Sequence, residues 1–221
     1  MKDFTVILPI YNCNEESVEM TKEAVKSFGD VDIIAIDNAS TFETPIKFKT
    51  LIKNSENLGY AKAVNMGIKL ATTRYIAIGE TDVVVSDNWK DVAREVLAPP
   101  FVYSCHFRMF DIVDFPTFGT KIYYTGRERW CSAPFFVMKR NPQVLFDEEY
   151  LNSFEDWDIT FRIRELGYNT AYTNKACFTH NHSYSKRFLP PEWKERDAQN
   201  RQHFTDKHGE DPDYLMVRKF P

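Results

Sequence analysis

The sequence lacks any apolar run close to the roughly 20 residues that cross a bilayer, and the short run at residues 4–10 is not typical of a signal peptide. Its four cysteines are far apart with no Cys-x-x-Cys pair, which favours reduced thiols over a disulfide framework. Glycine is scarce, at 8 of 221 residues, and no glycine-rich phosphate loop is present. The net charge of -4 indicates no general nucleic-acid surface. We therefore expect a cytoplasmic globular protein.

Apolar and aromatic residues are plentiful, and their order along the chain predicts an α/β fold. Aromatic residues make up 15% of the chain, which is ample for a core. The first half alternates buried-strand and helix patterns, which predicts right-handed crossovers and a mostly parallel sheet. The predicted strands are 4–10, 31–36, 48–52 and 74–78, with helices at 15–28 and 60–71. In the second half we expect antiparallel strands within 101–124, further strands at 134–139 and 171–178, and helices at 155–166 and 192–208.

Polar side chains follow three of the predicted strands. They are Asn12, Asp37 and the pair Glu80 and Asp82. Ligands of such sheets bind beyond the carboxyl ends of the strands. Two carboxylates two residues apart in an extended segment point to the same side, so Glu80 and Asp82 could hold Mg²⁺ or Mn²⁺. The alternatives are two solvated acids at a strand end and, for Asp37, a cap on its own turn.

Three acids, Glu155, Asp156 and Asp158, stand at the start of a predicted helix. Their mutual repulsion should raise the pKa of at least one of them, which would suit a general base. Helix capping is the alternative role, and Arg162 is spaced to pair with Asp158 along the helix.

Two histidines, His180 and His182, follow the predicted strand 171–178. Their alternate spacing places both imidazoles on one side, where either could bind a metal, although exposed loop histidines are the commoner outcome. Zinc is not expected, because no cysteine or further histidine is suitably spaced. We predict that His203 and His208 lie on the surface of the terminal helix.

Four segments together resemble family 2 glycosyltransferases, which have the GT-A fold. They are residues 6–12 (VILPIYN), 36–40 (IDNAS), 57–67 (NLGYAKAVNMG) and 146–158, the last continued by Arg162 and the Gly-Tyr pair at 167–168. The likeness covers about residues 4–185. It implies a Rossmann-like, mostly parallel central sheet with an antiparallel acceptor-side part. The implied domain is 1–185, with a nucleotide-sugar half at about 1–98, an acceptor half at about 99–185 and a C-terminal helical extension at 186–221.

The resemblance assigns the donor and metal contacts. The implied substrate-binding residues on the donor side are Pro9, Tyr11, Asn12, Asp37, Lys62 and Asn65, with Asp37 contacting the nucleotide base. Glu80 and Asp82 stand where the family carries an Asp-x-Asp metal motif, and Glu80 departs from it by one methylene. Asp82 is therefore the more secure ligand of the implied Mn²⁺ or Mg²⁺. His180 matches a histidine that completes the metal site in some members, and His182 is its competitor.

The resemblance also assigns the acceptor side. Asp156 matches the catalytic base, and Glu155 beside it is an implied substrate contact. Arg129 and Trp130 would lie near the diphosphate and the acceptor, although an exposed charged turn is an equal alternative.

The implied reaction is inverting single displacement from a nucleotide-diphosphate sugar to an acceptor hydroxyl. The metal would neutralise the leaving diphosphate, and one carboxylate would take the proton of the hydroxyl. A nucleotidyltransferase and a non-catalytic nucleotide- or sugar-binding module are the alternatives. The acceptor (saccharide, lipid-linked, protein or nucleic acid) is left open.

Overall fold

The computed structural model describes residues 2–110, 122–125, 134–151, 153–181, 187, 191–192, 196–209 and 211–212. Its strands are β1 Phe4–Ile10, β2 Asp32–Asp37, β3 Thr50–Lys53, β4 Tyr75–Gly79, β5 Val83–Val85, β6 Val102–Phe110, β7 Ile122–Thr125, β8 Phe135–Lys139 and β9 Asn169–His180. Its helices include α1 Glu15–Phe28, α2 Tyr60–Leu70, α3 Trp89–Leu97, α4 Glu155–Glu165 and α5 Asp197–His208. Among the described residues, no helix has the length and apolar character that a membrane span requires.

One mixed sheet of nine strands runs through the molecule in the order β3-β2-β1-β4-β8-β6-β9-β5, with β7 paired to β9. The four strands predicted in the first half, which are β3, β2, β1 and β4, are parallel, as expected. The second half adds antiparallel pairs, of β8 with β4 and β6 and of β9 with β5 and β7. Within it β6 also pairs with β9 in parallel, a pairing that the antiparallel expectation for 101–124 did not include.

The strand directions decide which residues meet at one edge of the sheet. Strand β8 runs against β4, and β6 runs against β8, so β6 has the direction of β4. Strand β9 is parallel to β6 and therefore also runs with β1, β2 and β4. The carboxyl ends of these four strands consequently lie at one edge, which is where an α/β sheet binds its ligands.

The helices cover both faces of the sheet. The core on one face includes Phe28 of α1 and Trp89 of α3, whereas the core on the other includes Ile68 of α2 and Ile159 of α4. Helix α2 packs very closely on β1, because a Cβ placed on Gly67 would stand 2.3 Å from Cγ2 of Ile7. Only glycine permits this approach of helix to strand.

Two elements of the first half are absent from the sequence prediction, namely β5 and α3. The three-residue strand β5 is too short for a periodic pattern, and it forms because Val83–Val85 pair with Phe178, Thr179 and His180 of the distant β9.

Helix α5 lies inside the predicted helix 192–208. Its Phe204 is fully buried in a separate aromatic cluster with Tyr150, Phe154 and Phe161.

Candidate active site

Two acids and a histidine meet where β4 and β9 end. Nε2 of His180 lies 3.6 Å from Oε2 of Glu80 and 3.4 Å from Oδ2 of Asp82. Backbone hydrogen bonds fix both segments, since the Glu80 N–H donates to the carbonyl of Pro134 and the Asn181 N–H donates to that of Asp82. We call Glu80, Asp82 and His180 the triad. The β9 direction brings His180 to the two acids that the sequence places about 100 positions earlier.

The triad is a concentrated negative site with one titratable imidazole. Burial alone would lower the pKa of His180, but its contacts with Asp82 and Glu80 outweigh burial and raise that pKa to about 9. One ligand atom from each of the three residues lies within 4.8 Å of the others. Two carboxylates and an imidazole therefore fit a divalent cation by spacing and by donor type.

The loop after β2 wraps around the end of β1. Oδ1 of Asp37 accepts a hydrogen bond of 2.8 Å from the Ser40 N–H, which confirms the turn role foreseen as the alternative for this residue. Asn12 is fully buried, and its side chain accepts from Thr21 and donates to Thr44. Asn12 thus holds the loop together. Contact of Asp37 or Asn12 with a nucleotide stays a prediction.

The remaining donor-side candidates differ in exposure. Pro9 and Tyr11 are partly buried at the end of β1, and Lys62 is exposed on α2. Asn65 is buried, and its amide both donates to the carbonyl of Phe146 (2.9 Å) and accepts from the Phe146 N–H (2.8 Å). The same amide donates to Glu148. Asn65 is therefore a clamp on the segment before α4, and its predicted donor contact stays a prediction.

Helix α4 begins at an unusual backbone turn. Phe154 has φ 68° and ψ -9°, a left-handed conformation that costs a non-glycine residue about 1–2 kcal/mol. Edge contacts of its ring with Trp157 (5.4 Å) and packing on Phe204 hold it there. Glu155 is buried and Asp156 is partly buried. Oδ1 of Asp156 accepts from the Trp157 N–H at 3.0 Å, and the helix dipole favours its ionised form.

The third acid of this segment is an anchor. Asp158 is fully buried, with Oδ2 2.7 Å from Nε of Arg162, and Oδ1 2.7 Å from Nζ of Lys207 and 2.9 Å from Nε2 of His208. Burial opposes ionisation, but these donors together lower the pKa of Asp158. This lowering is opposite to the effect that repulsion among the neighbouring acids alone would have, because Arg162 of α4 and Lys207 and His208 of α5 surround the carboxylate. The predicted pairing with Arg162 is confirmed.

The prediction that His208 is a surface residue is wrong, whereas His203, whose side chain is 29% exposed, lies partly at the surface. The side chain of His208 is 4% exposed against Asp158, and Nε2 of His203 lies 3.1 Å from Oδ2 of Asp147. Asp147 also accepts from Lys207 at 2.6 Å. Burial opposes ionisation here too, yet the hydrogen bonds from Lys207, the Glu149 N–H and His203 lower the pKa of Asp147 to about 2.

Tyr60, which the sequence analysis did not single out, is subject to the charges of both acidic groups. Burial raises the pKa of its hydroxyl well above the usual value, and the charges of four carboxylates raise it further, namely Glu80, Glu155, Asp156 and Asp82. Tyr60 is thus within electrostatic range of both the triad and the start of α4. It opens α2 directly after Gly59 (φ 87°), and its ring meets Phe146 edge-on at 6.0 Å. An aromatic residue at a helix start gives no distinctive sequence pattern.

Three predicted site residues lie outside the described residues: His182, Arg129 and Trp130. Their assignments stay predictions.

A mixed sheet with two acids and a histidine at its carboxyl edge is the architecture of the GT-A fold. The model of the family "Glycosyl transferase family 2" matches residues 5–166. The chain therefore belongs to glycosyltransferase family 2. The expected family and the expected fold class are both confirmed.

Several known proteins are similar to parts of the chain. "Glycosyltransferase GlyG" of Streptococcus pneumoniae serotype 4 is 30% identical over 94 residues, which cover 38% of this chain and 31% of that protein. The mannosyltransferase PcManGT of Pyrobaculum calidifontis, solved with GDP-Man and Mn²⁺, has a TM-score of 0.68 at 16% identity, covering 98% of this chain and 70% of that one. S. aureus TarS 1-349 with UDP-GlcNAc has a TM-score of 0.62 at 17% identity, covering 86% of this chain and 62% of that one. The chain thus spans about a third of its curated relative.

Proposed function

We propose that this protein is an inverting, metal-dependent glycosyltransferase. It transfers a sugar from a nucleotide-diphosphate sugar to an acceptor hydroxyl by single displacement. The observation that carries the proposal is the pairing of two acidic groups around Tyr60, one of which fits a divalent cation while the other presents Asp156 at a helix start.

The triad is the proposed cation site. A donor diphosphate is an anion, and four carboxylates around Tyr60 would repel it unless a cation stood between them. When bound, Mn²⁺ or Mg²⁺ would neutralise the charge that develops on the leaving diphosphate. The imidazole of His180 beside two carboxylates favours Mn²⁺, because Mg²⁺ keeps mainly to oxygen ligands. The similar PcManGT was solved with GDP-Man and Mn²⁺, which agrees with this choice.

Asp156 is the proposed general base. Its place in the first turn of α4 favours its ionised form through the helix dipole, and its partial exposure leaves it open to an acceptor. An ionised carboxylate can take the proton of the attacking hydroxyl. With the leaving group on the opposite face of the sugar, this arrangement gives inversion without a covalent intermediate. Glu155, Asp37, Pro9, Tyr11 and Lys62 are proposed to position donor and acceptor, on the strength of the family resemblance.

Calorimetric titration tests the proposal. UDP, GDP and dTDP are titrated in turn with MnCl₂ and again after EDTA, into wild type, Asp82→Asn and Asp91→Asn. Asp91 is the matched control, because its exposed carboxylate pairs with Arg94 on α3, outside the site. We expect one diphosphate to bind with Mn²⁺ and to weaken at least about 10-fold, a change of about 1.4 kcal/mol, with EDTA and in Asp82→Asn only. Equal affinity with EDTA, or an equal loss in Asp91→Asn, would contradict the metal role.

Release of nucleoside diphosphate from a matching nucleotide sugar, with water as acceptor, then separates the alternatives. A transferase releases it slowly, whereas a binding module releases none. A nucleotidyltransferase would instead form the nucleotide sugar from a nucleoside triphosphate and a sugar 1-phosphate, and would release pyrophosphate.

A further inference from the structure

Lys207 of α5 joins two acidic segments that lie eleven residues apart in the chain. Its Nζ lies 2.6 Å from Oδ2 of Asp147 and 2.7 Å from Oδ1 of Asp158. The side chain of Lys207 is 28% exposed, that of Asp147 is 18% exposed, and that of Asp158 is fully buried. We call these three residues the carboxylate bridge. Because Asp158 is buried, its attraction to Lys207 is stronger than that of a fully exposed ion pair, whereas the Lys207–Asp147 contact is open to water.

Each carboxylate of the bridge has a second partner from α5. Nε2 of His203 lies 3.1 Å from Asp147, and Nε2 of His208 lies 2.9 Å from Asp158. Asn200, three residues before His203 on the same helix, donates to the carbonyl of Leu151 (2.8 Å) and to Oγ of Ser153 (2.8 Å). Helix α5 therefore contacts the connection from residue 147 to residue 158 at both of its ends and, through Asn200, at Leu151 and Ser153.

The bridge links the segment of the proposed base to helix α2. Asp158 is two residues after Asp156 in the first turn of α4. Asp147 lies in the segment that Asn65 clamps from the other side, through Phe146 and Glu148. Asn65 belongs to α2, whose first residue is Tyr60. Lys207 thus completes a continuous path of contacts from α2 through residues 146–148 to the turn that carries Asp156.

We infer that Lys207 is a positioning residue, which fixes Asp156 relative to the triad without itself contacting the substrate. The inference rests on the proposed function for Asp156. Without the ammonium, the two carboxylates repel each other, and the first turn of α4 loses its tie to the segment braced on α2. A displacement of about 1 Å in a catalytic group can cost about 100-fold in rate.

The test compares Lys207→Met, Lys207→Arg and the control Lys22→Met. Lys22 forms an exposed pair with Glu19 on α1, so its removal repeats the chemical change away from the bridge. The readouts are amide hydrogen exchange of residues 153–158, Mn²⁺-dependent UDP or GDP affinity, and diphosphate release at saturating nucleotide sugar. We expect Lys207→Met to speed exchange about 10-fold, and to lower the release rate about 10- to 100-fold with diphosphate affinity unchanged. Lys207→Arg restores most of both, and Lys22→Met changes neither.

The exchange measurement is independent of the reaction. If wild type binds no diphosphate, the proposed function fails, while exchange still decides whether Lys207 holds the start of α4. Unchanged exchange at 153–158, or a rate loss that Lys207→Arg fails to recover, overturns the positioning role. Should Lys207→Met not fold, Asp147→Asn removes the outer end of the bridge and is expected to change both readouts in the same direction by a smaller factor.

Discussion

The triad and the start of α4 are held in place by different kinds of interaction. Backbone hydrogen bonds of the sheet fix the triad, through Glu80 to Pro134, Asn181 to Asp82 and the β5–β9 ladder. The start of α4 depends instead on side chains of α5, which supply an ion-pair network at Asp158 and aromatic packing at Phe154. Backbone pairing tolerates changes of side chain, whereas a buried ion-pair network depends on each member. The two groups should therefore respond differently to substitution.

The largest effect, a loss of reaction rate, is expected for substitution of Asp156 at the start of α4. Asp156→Asn should lower diphosphate release from the nucleotide sugar about 1,000-fold, because an amide cannot accept the proton of the attacking hydroxyl. Mn²⁺-dependent diphosphate affinity should stay within about twofold of wild type, since the triad is intact. Steady-state release and calorimetry on the same sample measure both. Release at a tenth of the wild-type rate or more would remove Asp156 as the base.

The anchor of α4 should carry a large share of the stability. Asp158→Ala leaves Lys207, Arg162 and the buried His208 without their common partner, and should lower the free energy of unfolding by about 3–5 kcal/mol. Denaturant titration of the variant measures this. The control Asp91→Ala, at an exposed site on α3, should stay within about 0.5 kcal/mol of wild type. Equal small losses in the two variants would show that the buried network adds little.

The same contrast explains what the sequence could predict. The strands and helices around β1, β2 and β4 carry long apolar patterns, and their polar ends were recognised as Asn12, Asp37, Glu80 and Asp82. The grouping of His180 with the two acids also agrees with the family resemblance. The chain order alone does not reveal it, because it depends on two antiparallel steps and one parallel step across β8, β6 and β9.

No sequence pattern predicts the contacts that α5 makes with the start of α4. His203 and His208 lie in a polar helix whose charges alternate along the sequence, which is also what a solvated helix shows. Only the fold brings His208 and Lys207 to Asp158, about 50 residues earlier. For the same reason the lowered pKa of Asp158 could not be predicted, since two of the three side chains that lower it, Lys207 and His208, come from the distant α5.

A smaller loss of stability is expected where helix α2 packs closely on strand β1. Gly67→Ala places a methyl group against Ile7, at a spacing of 2.3 Å, so α2 must shift from β1. We expect a loss of about 1–3 kcal/mol in the free energy of unfolding. Lys69→Ala, on the exposed side of the same helix, is the control and should change it by less than about 0.5 kcal/mol. A neutral Gly67→Ala would mean that α2 and β1 have room to adjust.

The smallest effect concerns pH and the outer end of the bridge. The pKa of Asp147 lies at about 2, below its usual 3.8, so its ionised form stabilises the fold above pH 4 and this contribution is lost as the pH falls towards 2. Allowing for solvent screening, Asp147→Asn should cost about 1 kcal/mol at pH 6. The difference between wild type and variant should vanish by about pH 2, as measured by urea titration across this range. A constant difference would assign the loss to packing.

A crystal structure grown with MnCl₂ and the diphosphate selected by calorimetry tests the central claim most directly. The account predicts an anomalous manganese peak in contact with Asp82, Glu80 and His180, a diphosphate on its other side, and the carboxylate of Asp156 facing the diphosphate across the site. A diphosphate bound without a cation at these three residues, or bound away from Asp156, would contradict it.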